Sequence, residues 1–119
     1  MIFGLDHVAI TIPVGAESEA RAFYCEALGL AEIDKPESLK ARGGLWFQLP
    51  DGRQLHLQAR AVASPLREAH PAFVADVELL AKAVMGLGHE PQWDDALSPR
   101  RRFYLFDPFG NRLEFLEHE

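Results

Sequence analysis

"LPDGRQLHLQ", residues 49–58, and "DPFGNRLEFL", residues 107–116, are the same segment written twice. Pro50 falls on Pro108, Gly52 on Gly110, Leu55 on Leu113, and His56 on Glu114. In each copy a Gly-containing turn leads into alternating apolar and polar residues, which is the pattern of a hairpin's second strand. A side chain able to bind a metal stands at the matching place in both copies. Working outward from the two segments, the whole chain divides into two similar halves.

In the first half, "LDHVAITI" (5–12) alternates, with Val8, Ile10 and Ile12 on one face and His7, Ala9 and Thr11 on the other. This predicts a strand. "SEARAFYCEALGL" (18–30) predicts a helix with Ser18 as N-cap and Gly29 as its stop. "LAEID" reads as a short strand and "KPESLKARG" as a polar loop. "GLWFQLP" and "RQLHLQA" read as the hairpin strands around Asp51-Gly52. In the second half, "HPAFVA" predicts a strand, and "DVELLAKAVMGLG" a helix capped by Asp76 and stopped by Gly88. "HEPQWD" follows as a short strand, and "RRFYLFD" and "NRLEFLE" form the last hairpin. Each half is strand, helix, strand, strand, strand. The expected organisation is a single α+β domain with module one at 1–60, a linker at 61–68 and module two at 69–119. Two such units are expected to close on each other about a pseudo-twofold axis.

A helix covering one face of each sheet requires an apolar face. Val8, Ile10, Leu55, Leu57, Leu113 and Phe115 are expected to supply it. The opposite face then carries His7, Ala9, Trp46, Gln48, His56, Gln58, Arg112 and Glu114, a mixture suited to lining a cavity. His70 is expected to open module two's first strand as His7 opens module one's. "HVAI" and "HPAF" share His-x-Ala-apolar. Three imidazoles and a carboxylate are a good donor set for a divalent metal, which could polarise a substrate oxygen. His89 and His118 fall outside this pattern.

The 119 residues, nearly half of them hydrophobic, describe a globular chain with a real core. A net charge of −6 argues against a nucleic-acid partner, and the basic cluster Arg100–Arg102 suffices at most for a local anion site. One cysteine, Cys25, rules out an internal disulfide framework and fits a packed helix position. No run approaches a membrane span, and the N-terminus lacks signal-peptide features, so a cytoplasmic protein with no membrane partner is expected.

"LDHVAI", "AFYCEALGL", "HPAF" and "FYLFDPFGNRLEFLE" together resemble the glyoxalase, bleomycin-resistance and extradiol-dioxygenase group, the vicinal oxygen chelate superfamily. The resemblance runs over nearly the whole chain. It implies two βαβββ modules forming a U-shaped, cup-like mixed sheet with helices on the outer face, commonly in a homodimer. It implies a divalent metal (Ni, Zn, Mn or Fe) on His7, His70 and Glu114, with His56 where glyoxalase I types usually place a fourth ligand, Glu. His56 is then a fourth ligand or the catalytic base. Trp46, Gln48, Trp93, Phe103, Tyr104 and either Arg101 or Arg102 are the candidate substrate contacts. The segment after His70 is one residue shorter than is usual in the group. A slip inside the strand would turn His70 away from the site, and one at the strand–helix junction would leave it there. The implied function is a metal-dependent lyase or dioxygenase acting on a small oxygen-chelating substrate. The alternative is a metal-free protein that sequesters small molecules, as in bleomycin resistance.

Overall fold

The structure is a computed structural model describing residues 1–119. It has two compact units, Met1–Pro65 and Leu66–Glu119. In the first, β1 (His7–Pro13) is followed by α1 (Glu17–Arg21), β2 (Ala31–Ile33), β3 (Leu45–Gln48) and β4 (Gln54–Arg60). The strand order is β1-β4-β3-β2, with β1 parallel to β4 and the other pairs antiparallel. In the second, β5 (Ala72–Val74) is followed by α2 (Val77–Gly86), β6 (Gln92–Asp94), β7 (Arg102–Phe106) and β8 (Arg112–Leu116). Its order is β5-β8-β7-β6, with β5 parallel to β8. Each unit is thus a βαβββ module with a mixed four-stranded sheet, and the chain is α+β as the repeat predicts.

The repeated turns are physically one device. In module one Leu49 N–H donates to Arg53 O at 2.8 Å and Gly52 N–H to Leu49 O at 2.9 Å. In module two Asp107 N–H donates to Asn111 O at 2.9 Å and Gly110 N–H to Asp107 O at 3.2 Å. Both bonds recur at equivalent positions, and both turns place glycine at positive φ, +88° for Gly52 and +92° for Gly110. The second turn carries more side-chain hydrogen bonds. The buried Asp107 carboxylate accepts from Phe109 N, Asn111 N and Asn111 Nδ2, and Asn111 Oδ1 accepts from Leu66 N at 2.9 Å. A fixed turn fixes register, so the fourth residue after each glycine, His56 or Glu114, arrives on the same face.

The opposite face holds each core. Ile10, Ile12, Leu45, Phe47, Leu55 and Leu57 are buried in module one, as are Phe23 and Tyr24 from the helical segment. Tyr24 stacks on Phe47 at 5.5 Å, which seats that segment on the sheet. In module two, rings run across the strands: Phe73 on Phe115 at 5.5 Å, Phe115 on Phe103 at 5.2 Å, and Phe103 beside Trp93 at 5.1 Å. Val77, Ala81 and Val84 are the buried stripe of α2, spaced i, i+4, i+7.

The first helical segment differs from its expectation. Its N-cap is Ala16 and no side chain caps it, so Ser18 lies inside the helix. From Ala22 to Ala27 the chain winds as a π-helix, with Leu28 N–H reaching back to Phe23 O at 3.0 Å. The wider turn accompanies burial of the adjacent rings Phe23 and Tyr24. Gly29 ends the segment at φ +73°, as expected. The polar segment expected to be a loop contains a 3₁₀ helix over Glu37–Arg42. Asp76 does cap α2: its Oδ1 accepts from Leu79 N at 3.1 Å. No helix is long and apolar enough to cross a membrane.

Candidate functional site

The candidate donors stand on one frame, repeated in each module. Across β1, β4 and β3 the register is Ala9, His56, Trp46. Across β5, β8 and β7 it is Ala72, Glu114, Tyr104. Each donor therefore sits between an alanine and an aromatic residue. The histidine two residues upstream of each alanine can lean over the space that the small side chain leaves.

In module one the lean produces a stack. The His7 and His56 rings lie 4.0 Å apart at 18°, and His56 lies 3.8 Å from the Trp46 ring at 3°. His7 Nδ1 lies 2.8 Å from Asp6 Oδ2, a contact that in the neutral ring puts the proton on Nδ1 and turns Nε2 into the nitrogen available as a ligand. His56 Nε2–H donates to Gln54 Oε1 at 2.8 Å, which leaves Nδ1 with the lone pair. Burial, and next the neighbouring His7, push the His56 pKa down, so this imidazole is neutral at pH 7. A hollow of about 100 Å³ opens beside Trp46 and His56, with Lys35, Arg42 and Arg60 also on its wall. Gln48 shares this face and is exposed.

Module two builds an ionic network in the same frame. His70 precedes β5 by two residues instead of opening it, because Pro71 has no N–H to give to the ladder. The extended path nonetheless continues, since Glu114 N–H donates to Pro71 O at 3.1 Å. His70 thus stays on Glu114's side. Its Nδ1–H donates to Glu68 O at 2.7 Å, and its Nε2 lies 2.9 Å from Glu114 Oε1. Glu114 is buried, and its Oε2 accepts from Arg102 Nη1 at 3.3 Å. Arg102 Nη2 donates to Asp94 Oδ1 at 3.2 Å, so one guanidinium ties two carboxylates. Tyr104 meets His70 edge-on at 5.4 Å and carries Arg112 over its face at 4.0 Å.

The two modules differ in how their donors suit a metal. With Nδ1–H committed to a carbonyl, neutral His70 offers a bare Nε2 to a carboxylate oxygen that is also an acceptor. Two lone pairs at 2.9 Å require a proton or a cation to reconcile them. Donors sharing one divalent ion lie about 3 Å apart, given bonds of about 2.1 Å, so this pair suits one. His7, oriented by a carboxylate, is equally suited. His56 differs because its Nε2 is already spent on Gln54. In neither module do three such donors gather; each holds a pair.

Other expected site residues lie elsewhere. Phe103 is core, fully buried. Trp93 pairs with Phe103 and so occupies the apolar face, opposite Glu114, where Arg101 lies 4.6 Å over its ring. It borders a second hollow of about 510 Å³ along the β6–β7 connection, with Asp95, Pro99 and Arg100. Cys25 has its pKa pushed up, chiefly by burial, and is no activated thiol. Three groups that the repeat pattern does not mark, Asp6, Gln54 and the Glu68 carbonyl, orient the imidazoles. Only Asp6 carried a signal, as a carboxylate adjacent to a strand histidine.

A sequence model described as the Glyoxalase/Bleomycin resistance protein/Dioxygenase superfamily matches residues 4–115. A solved glyoxalase family protein from Bacillus anthracis is 43% identical, with TM-score 0.95, covering 100% of this chain and 98% of its own. Two further structures share the fold at lower identity. A lactoylglutathione lyase from Agrobacterium tumefaciens has 20% identity and TM-score 0.74, covering 96% of this chain and 92% of that one. The fosfomycin resistance protein FosX from Listeria monocytogenes has 18% identity and TM-score 0.77, covering 100% and 96%. A comparison with curated proteins found no match. The repeated βαβββ module, the family match over nearly the whole length and the 43% relative together place the chain in the glyoxalase/bleomycin resistance/dioxygenase superfamily.

Proposed function

We propose that this chain is a metal-dependent enzyme, of lyase or dioxygenase type, acting on a small substrate with vicinal oxygens. Members of the superfamily commonly use divalent metals, bind small molecules and often dimerise; a cytoplasmic homodimer is part of this reading. His7 from module one, and His70 and Glu114 from module two, are the proposed donors, with His56 either a fourth donor or the catalytic base. The observation that carries the reading is the His70–Glu114 contact at 2.9 Å, with His70 Nδ1 already committed to Glu68 O. A bound divalent ion would supply Lewis acidity to a substrate oxygen.

The chain's own groups do the rest. Asp6 and the Glu68 carbonyl hold two imidazoles in the tautomer that leaves Nε2 bare. His56, neutral at pH 7, can accept a substrate proton at Nδ1 while Nε2–H stays on Gln54. Trp46, half-buried beside the hollow of about 100 Å³, offers an aromatic wall to the substrate.

A specific observation favours a second reading. The His7–His56–Trp46 stack is also a platform for a flat ligand, which a metal-free sequestering protein would use. Metal analysis of protein purified without a histidine tag separates the two. The enzyme reading expects near-stoichiometric Ni, Zn, Mn or Fe, lost in His7→Ala and in Glu114→Ala. Metal-free wild-type protein that binds flat aromatic ligands, more weakly in His7→Ala and unchanged in Glu114→Ala, would overturn it.

A further inference from the structure

Module two's donor face carries two guanidinium groups, and only one is spoken for. Arg102 is tied to both carboxylates within its reach, Asp94 and Glu114, at 3.2 and 3.3 Å. Arg112 stands on β8 two residues before Glu114, hence on the same face about 7 Å along the strand. It is half-buried, and its guanidinium carbon lies over the Tyr104 ring, 4.0 Å from the centroid. No carboxylate stands within 4.0 Å of it; Asp94 feels its charge only at longer range, after Ala96 N–H and Arg102. Cation–π attraction to the ring positions the fork while leaving its N–H groups unused by any hydrogen bond. Tyr104 also abuts His70, so the fork is anchored to a ring that touches a proposed ligand.

We propose that Arg112 is the anion-recognition residue of this site, and that the substrate is a small acid carrying an oxyanion group next to its chelating oxygens. The position of those oxygens rests on the metal reading above; the anion contact itself does not. Arg102, from the conspicuous basic cluster, serves instead to hold Glu114 and Asp94. A planar guanidinium matches a carboxylate or a phosphonate with two parallel hydrogen bonds. Both are the same oxyanion chemistry, and the experiment tells them apart.

Glycolate, methylphosphonate and, as an uncharged control, ethylene glycol are titrated calorimetrically into the untagged protein, with and without prior chelator treatment. Metal content is measured in parallel. The expected result is binding of at least one anion and roughly tenfold or greater preference over ethylene glycol. Arg112→Gln should weaken that anion by about ten- to a hundredfold with metal content and ethylene glycol binding unchanged. Arg112→Lys should restore part of the loss, and higher salt should weaken the wild type more than Arg112→Gln. Preference for glycolate names a carboxylate, and preference for methylphosphonate a phosphonate. Anion binding that tracks Arg112 in a metal-free protein would sink the metal reading and leave this inference standing. Equal anion affinity in wild type and both variants, or a wild type that does not distinguish anion from glycol, would overturn it.

Discussion

Module one and module two share a backbone frame and differ in what the frame holds. At the central donor position one carries His56 and the other Glu114. At the neighbouring aromatic position they carry Trp46 and Tyr104. One residue before β3 module one has Gly44, and at the equivalent place module two has Arg102, the first residue of β7. The consequence is a neutral stacked imidazole in one module and a charged, hydrogen-bonded network in the other. The turns that set register are alike, so the chemistry is decided by side chains placed on a fixed scaffold. A frame that tolerates both solutions can be tested by forcing one module's solution on the other.

The largest effect is expected at Gly44. Its φ is +83°, and a Cβ built there would lie 2.1 Å from the Leu57 carbonyl oxygen. Backbone cannot yield as a flexible side chain can. Gly44→Ala should therefore cost about 2–5 kcal/mol, combining left-handed strain with overpacking. Thermal unfolding should show a Tm lower by roughly 8 °C or more. Arg102 occupies the same frame position in a regular strand and meets no such obstacle. A Gly44→Ala protein melting within about 2 °C of wild type would show that module one can adopt module two's path here.

Next comes the titration that separates the two donors. Burial lowers the His56 pKa in the folded protein, while in the unfolded chain it lies near 6.5. Above about pH 6.5 the ring is neutral in both states and contributes no pH dependence. As pH falls through that value the unfolded chain takes up the proton more readily, so stability declines until the folded pKa is passed. Denaturant unfolding from pH 7.5 to 5 should show this loss, and His56→Phe, which keeps a ring in the stack, should remove His56's share of the slope. An unchanged slope in His56→Phe would assign the dependence to other groups.

Much of the frame was legible because it is local. Alternation in "DHVAITI" and "NRLEFL" sets faces, and two glycine turns set register, so sequence alone puts His56 and Glu114 on the face opposite each core. His70 was harder. Pro71 shortens the strand, and only the Glu114 N–H to Pro71 O bond shows that the path continues on the same side. Trp93 lies in a three-residue strand, too short for alternation to assign a face until its pairing with Phe103 is known. The choice between Arg102 and Arg112 could not be read at all. Clustering drew attention to Arg100–Arg102, whereas which guanidinium is already neutralised depends on carboxylates 8 and 12 residues away in the chain. The π-helix at 22–27 escaped for a similar reason: its sequence is ordinary for an α-helix, and the winding answers to tertiary burial of two adjacent rings.

The smallest expected effects again set the modules against each other, at their helix starts. Asp76 Oδ1 accepts from Leu79 N–H at 3.1 Å, which satisfies one of α2's otherwise unpaired amides. Asp76→Ala should cost about 1 kcal/mol. Ser18 has the composition of a cap but sits one residue inside α1, whose cap position is Ala16. Ser18→Ala should therefore change stability by less than about 0.5 kcal/mol, the range of ordinary surface substitutions. Ala16→Asp should raise stability by roughly 0.5–1 kcal/mol, since it supplies an acceptor where module two already has one. Chemical denaturation resolves differences of this size when midpoints are compared at constant slope. If Ser18→Ala costs as much as Asp76→Ala, the first helix begins where its composition suggests, and the asymmetry between the two helix starts is lost. If Ala16→Asp gains nothing, the turn at 13–16 holds the α1 amides out of reach of a side-chain cap, and the modules differ there in backbone instead of residue choice.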